Sequence, residues 1–283
     1  MRSVAIVGVG LIGGSFALAL RKAGYQGRIM GVSSPRTIEA ALSRKVIDEA
    51  LALDEAIPQA DVVYLAQPIE RILETVSLLD PLLGPGSLVT DAGSTKVRIV
   101  ETAKSAIHRG QFLGGHPMAG KERRGVEEAD PDLFAGRTWV LTPSDPAELE
   151  TPQAATFVDW VRRIGAAPVI LPPGEHDRVV AFTSHLAQLV STALAATVAD
   201  QVNTPDHLQV AGPGLADMTR LALSPYDIWQ DILRTNVAEI DIALGACIAR
   251  LDEMRSNLTT DRVRNEFASA AEFAERLRRT SRE

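Results

Sequence analysis

Near the start of the chain an unbroken apolar run, Val4-Ala5-Ile6-Val7, leads into Gly8-Val9-Gly10-Leu11-Ile12-Gly13-Gly14-Ser15 and then a helical segment reaching about Lys22. A strand with no polar face must be covered on both sides, which is the environment of a parallel sheet flanked by helices. The glycine spacing is G-x-G-x-x-G, with a strand before it and a helix after it. Gly8 permits a tight turn, Gly10 lets the backbone approach a pyrophosphate, and Gly13 lets helix and strand pack closely. The start of the helix, at Leu11 and Ile12, adds N–H donors and the positive end of its dipole. Gly8, Gly10, Leu11, Ile12 and Gly13 are therefore expected to hold a dinucleotide; the alternative is a glycine-rich turn without a ligand.

The next strand, Arg28-Ile29-Met30-Gly31-Val32, ends in Ser33-Ser34-Pro35-Arg36-Thr37. An NAD-preferring fold usually carries Asp or Glu at this strand end, to bind the ribose 2′-hydroxyl. Here there is none. Ser33, Ser34 and Arg36 would suit a 2′-phosphate, so the cofactor is NAD or NADP with the strand end favouring NADP; alternatively Ser34 only caps the following helix. Asp61 to Leu65 is a further strand ending in Ala66-Gln67-Pro68 below the cofactor, and Ser87 to Thr90 leads to a tip, Asp91-Ala92-Gly93-Ser94-Thr95-Lys96. Ala66, Gln67, Pro68, Asp91 and Gly93 are expected around the cofactor, since ligands bind at the carboxyl ends of such strands.

Phe112-Leu113 reads as the end of another strand that opens into a loop, Gly114-Gly115-His116-Pro117-Met118-Ala119-Gly120. A histidine at such a strand end can move a proton near neutral pH, or be a hydrogen-bonded structural residue. Arg137 to Thr142, a helix from about Pro152 to Ile164 and a strand at Val169-Ile170-Leu171 follow. This alternation implies an α/β fold, a doubly wound parallel sheet of the Rossmann type over residues 1–172.

After Pro172-Pro173-Gly174 the pattern turns helical, with breaks near Asn203-Thr204-Pro205, Gly212-Pro213-Gly214 and Ser224-Pro225. An all-helical domain is expected over 173–283. Its stretch Ala181–Ala199 is long and nearly uncharged, but Ser184, Gln188, Ser191, Thr192 and Thr197 interrupt it, so a buried central helix is expected, not a membrane span. Val237, Ile240, Leu244, Cys247, Leu251, Met254 and Leu258 recur in steps of three and four. Such a seam is either intramolecular core or, favoured in so small a helical domain, a homodimer interface. A net charge of -7 argues against nucleic acid and requires any anionic ligand to be met by a few placed cations. The single cysteine, Cys247, excludes an internal disulfide and suits the cytoplasm. No secretion signal is expected ahead of Val4, and His108, His176 and His207 lack metal-ligand spacing, so no metal is expected.

Taken in order, the Gly8–Ser15 loop, Asp91-Ala92-Gly93-Ser94-x-Lys96, Gly115-His116-Pro117-Met118-Ala119-Gly120, Ser184-His185-Leu186 and Asp217-Met218-Thr219-Arg220, with Trp229 and Asn236 beyond, resemble the prephenate/arogenate dehydrogenases of tyrosine biosynthesis. The resemblance implies an NAD(P)-dependent oxidative decarboxylation of prephenate to 4-hydroxyphenylpyruvate. It makes His116 the general base, Ser94 its hydrogen-bonding partner and Arg220 the clamp on a substrate carboxylate, where the alternative for Arg220 is a salt bridge to Asp217. It adds Lys121 and His185 as further substrate contacts, although His185 could equally be a core histidine. Many members carry a second histidine where this chain has Gln188, near the substrate side chain. A neutral Gln188 gives an arogenate ammonium no charge partner, which favours prephenate. Other two-domain hydroxyacid dehydrogenases, or a dinucleotide-sensing protein without catalysis, are the competing readings.

Overall fold

In the computed structural model, which describes residues 1–121, 123–202 and 204–280, eight strands form one sheet. They are β1 Ser3–Val7, β2 Arg28–Val32, β3 Glu49–Ala50, β4 Val62–Leu65, β5 Leu88–Asp91, β6 Gln111–Pro117, β7 Thr138–Thr142 and β8 Ala167–Ile170. Their order is β3-β2-β1-β4-β5-β6-β7-β8. The sequence direction of the sheet reverses between β1 and β4, and that switch point is where an open α/β sheet leaves a crevice for a ligand.

Two features depart from the sequence expectation. The sheet is parallel from β3 through β6, but β6 pairs antiparallel with β7, with Gly114 opposite Thr142 and His116 opposite Val140, while β7 and β8 are parallel to each other. A parallel return needs a crossover, usually a helix; among the described residues, the connection from β6 to β7 carries only the short 3-10 turn Val126–Glu128. His116 also lies inside β6, not in a loop beyond it. The preceding glycines serve close packing: a Cβ at Gly115 would come 2.8 Å from Asp91 O, and one at Gly114 would collide with Thr142 Oγ1.

The core of this sheet is aromatic at its centre. Phe16, from helix Leu11–Lys22, packs on Tyr64 of β4 with ring centroids 4.4 Å apart, and Trp139 of β7 meets Phe134 at 5.2 Å. Helix Pro152–Arg163 adds Phe157 and Val161. Ser34 caps helix Pro35–Ser43 by accepting from Thr37 N, as its alternative reading required.

Helical structure then runs from Pro173 to Gln201, with a π-helical turn at Ala181–His185. The buried central helix expected here is not what forms. Over Leu186–Gln201 only Gln188 and Ser191 are buried, because a helix apolar on every side offers one chain more surface than its neighbours can cover. By length and composition Pro173–Gln201 is long and apolar enough to cross a membrane. By packing, the chain divides into Met1–Val237 and Ala238–Glu283. That division falls later than the change of pattern at 172 because the intervening helices bond to the sheet region: Asp231 accepts from Glu70 N at 3.2 Å, and Asp177 from Lys96 N at 2.7 Å. Asn203, at one expected helix break, lies outside the described residues.

The second unit consists of most of helix Val237–Ser256 and all of Asp261–Thr280, tied by an Arg250–Glu266 ion pair of 2.6 Å. Of the apolar seam, Val237, Leu251 and Leu258 are exposed, and so are Phe267, Phe273 and Leu277 on the last helix.

Candidate active site

The glycine loop takes the shape its spacing requires. Gly8 has φ +96°, and a Cβ there would sit 2.6 Å from Ala66 O. A Cβ at Gly13 would strike Gly8 O, whereas one at Gly10 would meet nothing within 4 Å. Helix Leu11–Lys22 begins at Gly10 with no side-chain cap. Its first N–H groups and an open backbone thus face the crevice together, the combination that suits a pyrophosphate.

Two cavities sharing Gly10, Ala66, Gln67, Pro68 and Arg124 lie along the strand ends. The larger, about 1000 Å³, is lined by Gly8, Ser33, Ser34, Arg36, Arg71 and Arg124 among others. The smaller, about 390 Å³, is lined by Leu11, Ile12, Gly93, Ser94, Lys121 and Asp231 among others. The residues fit a dinucleotide whose adenosine end lies by Ser33, Ser34 and Arg36. Arg71, Arg123, Arg124, Asp227 and Asp231 also line these cavities and were missed in the sequence. Arg123 and Arg124 closely follow Lys121, so the basic run after the histidine motif was their available signal.

Asp91, expected at the cofactor, is buried below it. Its Oδ1 accepts from Gly115 N at 3.0 Å and its Oδ2 from Gly93 N at 2.8 Å and from Lys96 Nζ. Lys96 also donates to Gly115 O at 2.7 Å, and both side chains of the ion pair are wholly inaccessible. Burial pushes the Lys96 ammonium down and the Asp91 carboxylate opposes that shift. A pair so placed locks the β5 tip to β6 beside His116; losing one partner strands a buried charge, at a cost of about 3–5 kcal/mol.

His116 is half-buried, with Nδ1 2.8 Å from Nε2 of His176. His176 Nδ1 lies 2.7 Å from Asp177 Oδ1, and both residues are buried. The Asp177 carboxylate accepts from Lys96 N at 2.7 Å and Val97 N at 2.9 Å, at the start of helix Val97–Ala106. Burial, then the nearby His176, Lys96 and His185, hold the His116 imidazolium well below the usual histidine range. His116 is consequently neutral at physiological pH and able to accept a proton. His185 is buried in the π-helical turn, 3.4 Å from Asn236 Nδ2 and edge-on to Trp229, and burial brings it down to about 4.

The other expected contacts divide. Ser94 lines the smaller cavity, but makes no hydrogen bond to His116 among the described residues. Lys121 lines it too, with Nζ 2.8 Å from Asp130. Gln188 engages its Nε2 within the protein, donating to Leu221 O at 2.8 Å and to Thr192 Oγ1 at 3.2 Å. With Ser191 Oγ, which accepts from Ala222 N, it clamps the turn Arg220–Leu223. Arg220 is exposed at the start of that turn and lines neither cavity.

Family models described as the nucleotide-binding domain and the dimerization domain of prephenate dehydrogenase match residues 16–171 and 172–275. The chain is 34% identical over 240 residues to a prephenate dehydrogenase of Lactococcus lactis, covering 83% of this chain and 65% of that protein. Its fold is similar to the Aquifex aeolicus prephenate dehydrogenase solved with hydroxyphenyl propionate and NAD+, with a TM-score of 0.83, 30% identity and coverage of 99% and 97% of the two chains. Synechocystis arogenate dehydrogenase is similar to the same degree, with a TM-score of 0.83, 29% identity and coverage of 97% and 99%.

Proposed function

The chain belongs to the prephenate dehydrogenase family, and from that premise we propose that it oxidatively decarboxylates prephenate to 4-hydroxyphenylpyruvate with NAD or NADP. The observation that carries this reading is His116, a neutral imidazole in β6 tied to the β5 tip, whose next residues Gly93 and Ser94 line the smaller cavity. His116 takes the proton of the ring hydroxyl as the ring carboxylate leaves as CO2 and the ring becomes aromatic, and then returns it to the phenolate oxygen of the product. Bound NAD(P)+ supplies the acceptor for the two electrons and hydrogen lost from the hydroxyl carbon. Ser94, on the wall of the smaller cavity, hydrogen-bonds the hydroxyl and orients it towards the base.

The substrate is a dianion, and Lys121, Arg123 and Arg124 supply positive charge around the smaller cavity. Arg220 keeps its proposed role as a carboxylate clamp through the family motif, on a turn braced by Gln188 and Ser191. His185 is proposed as a neutral hydrogen-bonding contact. For the cofactor, Arg36 and Arg71 beside Ser33 and Ser34 support NADP. The exposed apolar side chains of the last two helices support a homodimer through the region of the dimerization model, in a cytoplasmic enzyme.

Arogenate is the second reading. With the Gln188 amide committed to Leu221, the argument from its neutrality lapses, and Asp227 and Asp231 on the smaller cavity offer an ammonium group partners. Reduction of NAD and of NADP, each with prephenate and with arogenate, tests the assignment. Formation of 4-hydroxyphenylpyruvate with NADP as the better cofactor is expected. Turnover of a 3-hydroxy acid with neither cyclohexadienol consumed would overturn it.

A further inference from the structure

His116 is not alone: a second histidine and a carboxylate stand behind it in a line of two short hydrogen bonds. Both are buried and held from several sides. The Asp177 carboxylate accepts two backbone N–H groups at the start of helix Val97–Ala106, and its carbonyl accepts from Asn236 Nδ2 at 2.8 Å. Such a carboxylate can face His176 only with a donor, because two lone pairs cannot share a 2.7 Å contact. His176 therefore carries a proton on Nδ1. If His176 is neutral, its Nε2 is an acceptor, and the 2.8 Å contact to His116 Nδ1 requires a proton on His116 Nδ1.

We propose that His176 and Asp177 are positioning residues that fix the tautomer of His116, leaving its Nε2 as the nitrogen that accepts the substrate proton. This rests on the reading of His116 as general base. In the step, the substrate O–H bond breaks and a His116 Nε2–H bond forms, while Nδ1–H stays in place. The positive charge that develops on His116 is met through His176 by the carboxylate of Asp177. A base whose tautomer is preset loses nothing to reorientation when the substrate arrives, which is the part a carboxylate plays behind the histidine of a serine-protease triad.

Several groups bear on His116 besides these two. Lys96 approaches from the β5 tip with its partner Asp91, and His185 from the π-helical turn. Lys96 and His185 both disfavour a positive charge on His116. The alternative, a doubly protonated His176 donating to His116 Nδ1, would put the His116 proton on Nε2 and disable it as a base.

The test uses the full chain with 15N-labelled histidine rings. Long-range 1H–15N spectra of the wild type at pH 7 should show a protonated Nδ1 and an unprotonated Nε2 for His116. A protonated Nε2 overturns the proposal, and it does so whether or not the protein turns over prephenate. In His176→Phe, the His116 ring should become a mixture of tautomers. Its kcat should fall roughly ten- to hundredfold, part of the usual contribution of a general base, with KM and cofactor affinity unchanged. The acid limb of the kcat profile should move, because His176 bears on the His116 imidazolium both as a hydrogen-bond acceptor and as a neighbouring histidine. His176→Gln, whose Oε1 can accept the same N–H, should recover part of kcat. An unchanged kcat and pH profile in His176→Phe would overturn the relay. If wild-type His116 has the expected protonation and neither cyclohexadienol is consumed, the pairing stands and the assigned reaction fails.

Discussion

The sheet region and the last two helices treat apolar side chains in opposite ways. Around β1 to β8, Trp139, Tyr64, Phe16 and Phe134 are wholly buried, and the buried charges of Asp91 and Lys96 are paired. On helices Val237–Ser256 and Asp261–Thr280, Leu251 is 58% and Phe267 68% exposed, although Leu251 belongs to the repeating apolar seam. A strand buried on both faces finds its cover within the chain, because the helices that follow each strand return across the sheet. A pair of helices has more apolar stripe than mutual packing can cover, and exposed stripes of this size mark a surface that another protein covers. The first region thus covers its apolar surface within the chain, whereas the homodimer proposed above would cover that of the second.

The largest effect that would break this comparison is in the aromatic centre. Trp139→Ala should lower the stability to urea by about 3–5 kcal/mol whatever the protein concentration; a loss below about 1 kcal/mol would mean that the sheet core is not the source of stability. His116→Asn should lower turnover at least about a hundredfold, near 2.7 kcal/mol, with cofactor binding and urea midpoint unchanged. Near-normal turnover would remove His116 as the base.

A pH effect of intermediate size follows from His185, brought down to about 4 by burial. Above the unfolded value of about 6.5 both states are neutral and the group contributes nothing to the pH dependence. Between there and about 4 the unfolded chain binds a proton that the folded chain refuses, so stability falls as pH falls. From pH 6.5 to 5 the loss should be roughly 2 kcal/mol, and smaller in His185→Gln. Equal urea midpoints at pH 7 and 5 in the wild type would contradict a buried neutral His185.

The smallest effect on folding should come from the exposed seam. Leu251→Asp should change the stability of the dilute protein by no more than about 0.5 kcal/mol, as at other surface sites. Sedimentation should nevertheless shift from dimer to monomer at micromolar concentration. A monomeric wild type would refute the proposed homodimer.

Much of the cofactor crevice was legible from residue types. Gly8, Gly10 and Gly13 are read from sequence because their demands are steric and local, and the structure answers each with a definite contact or a definite opening. Ser94 and Lys121 follow because they sit at strand ends or just beyond them. The partner of Gln188 was not legible, because a polar residue on an apolar helix looks the same whether its Nε2 faces a ligand or the carbonyl of Leu221. His176 and Asp177 were passed over, since nothing within one sequence links them to His116, sixty residues earlier.

The sequence by itself determined the strand–glycine–helix start, the alternation that builds a layered sheet, and the kinds of side chain available for chemistry. Those follow from local sterics and from the period of apolar residues. Only the tertiary structure decided that β7 runs against β6, that Asp91 serves Lys96 instead of a cofactor, and that His116 is backed by His176 and Asp177. Each of these depends on which groups meet after distant segments are buried together. Inside the fold a buried charge without a partner is costly, and the pairs formed there, Asp91 with Lys96 and Asp177 with His176, surround His116.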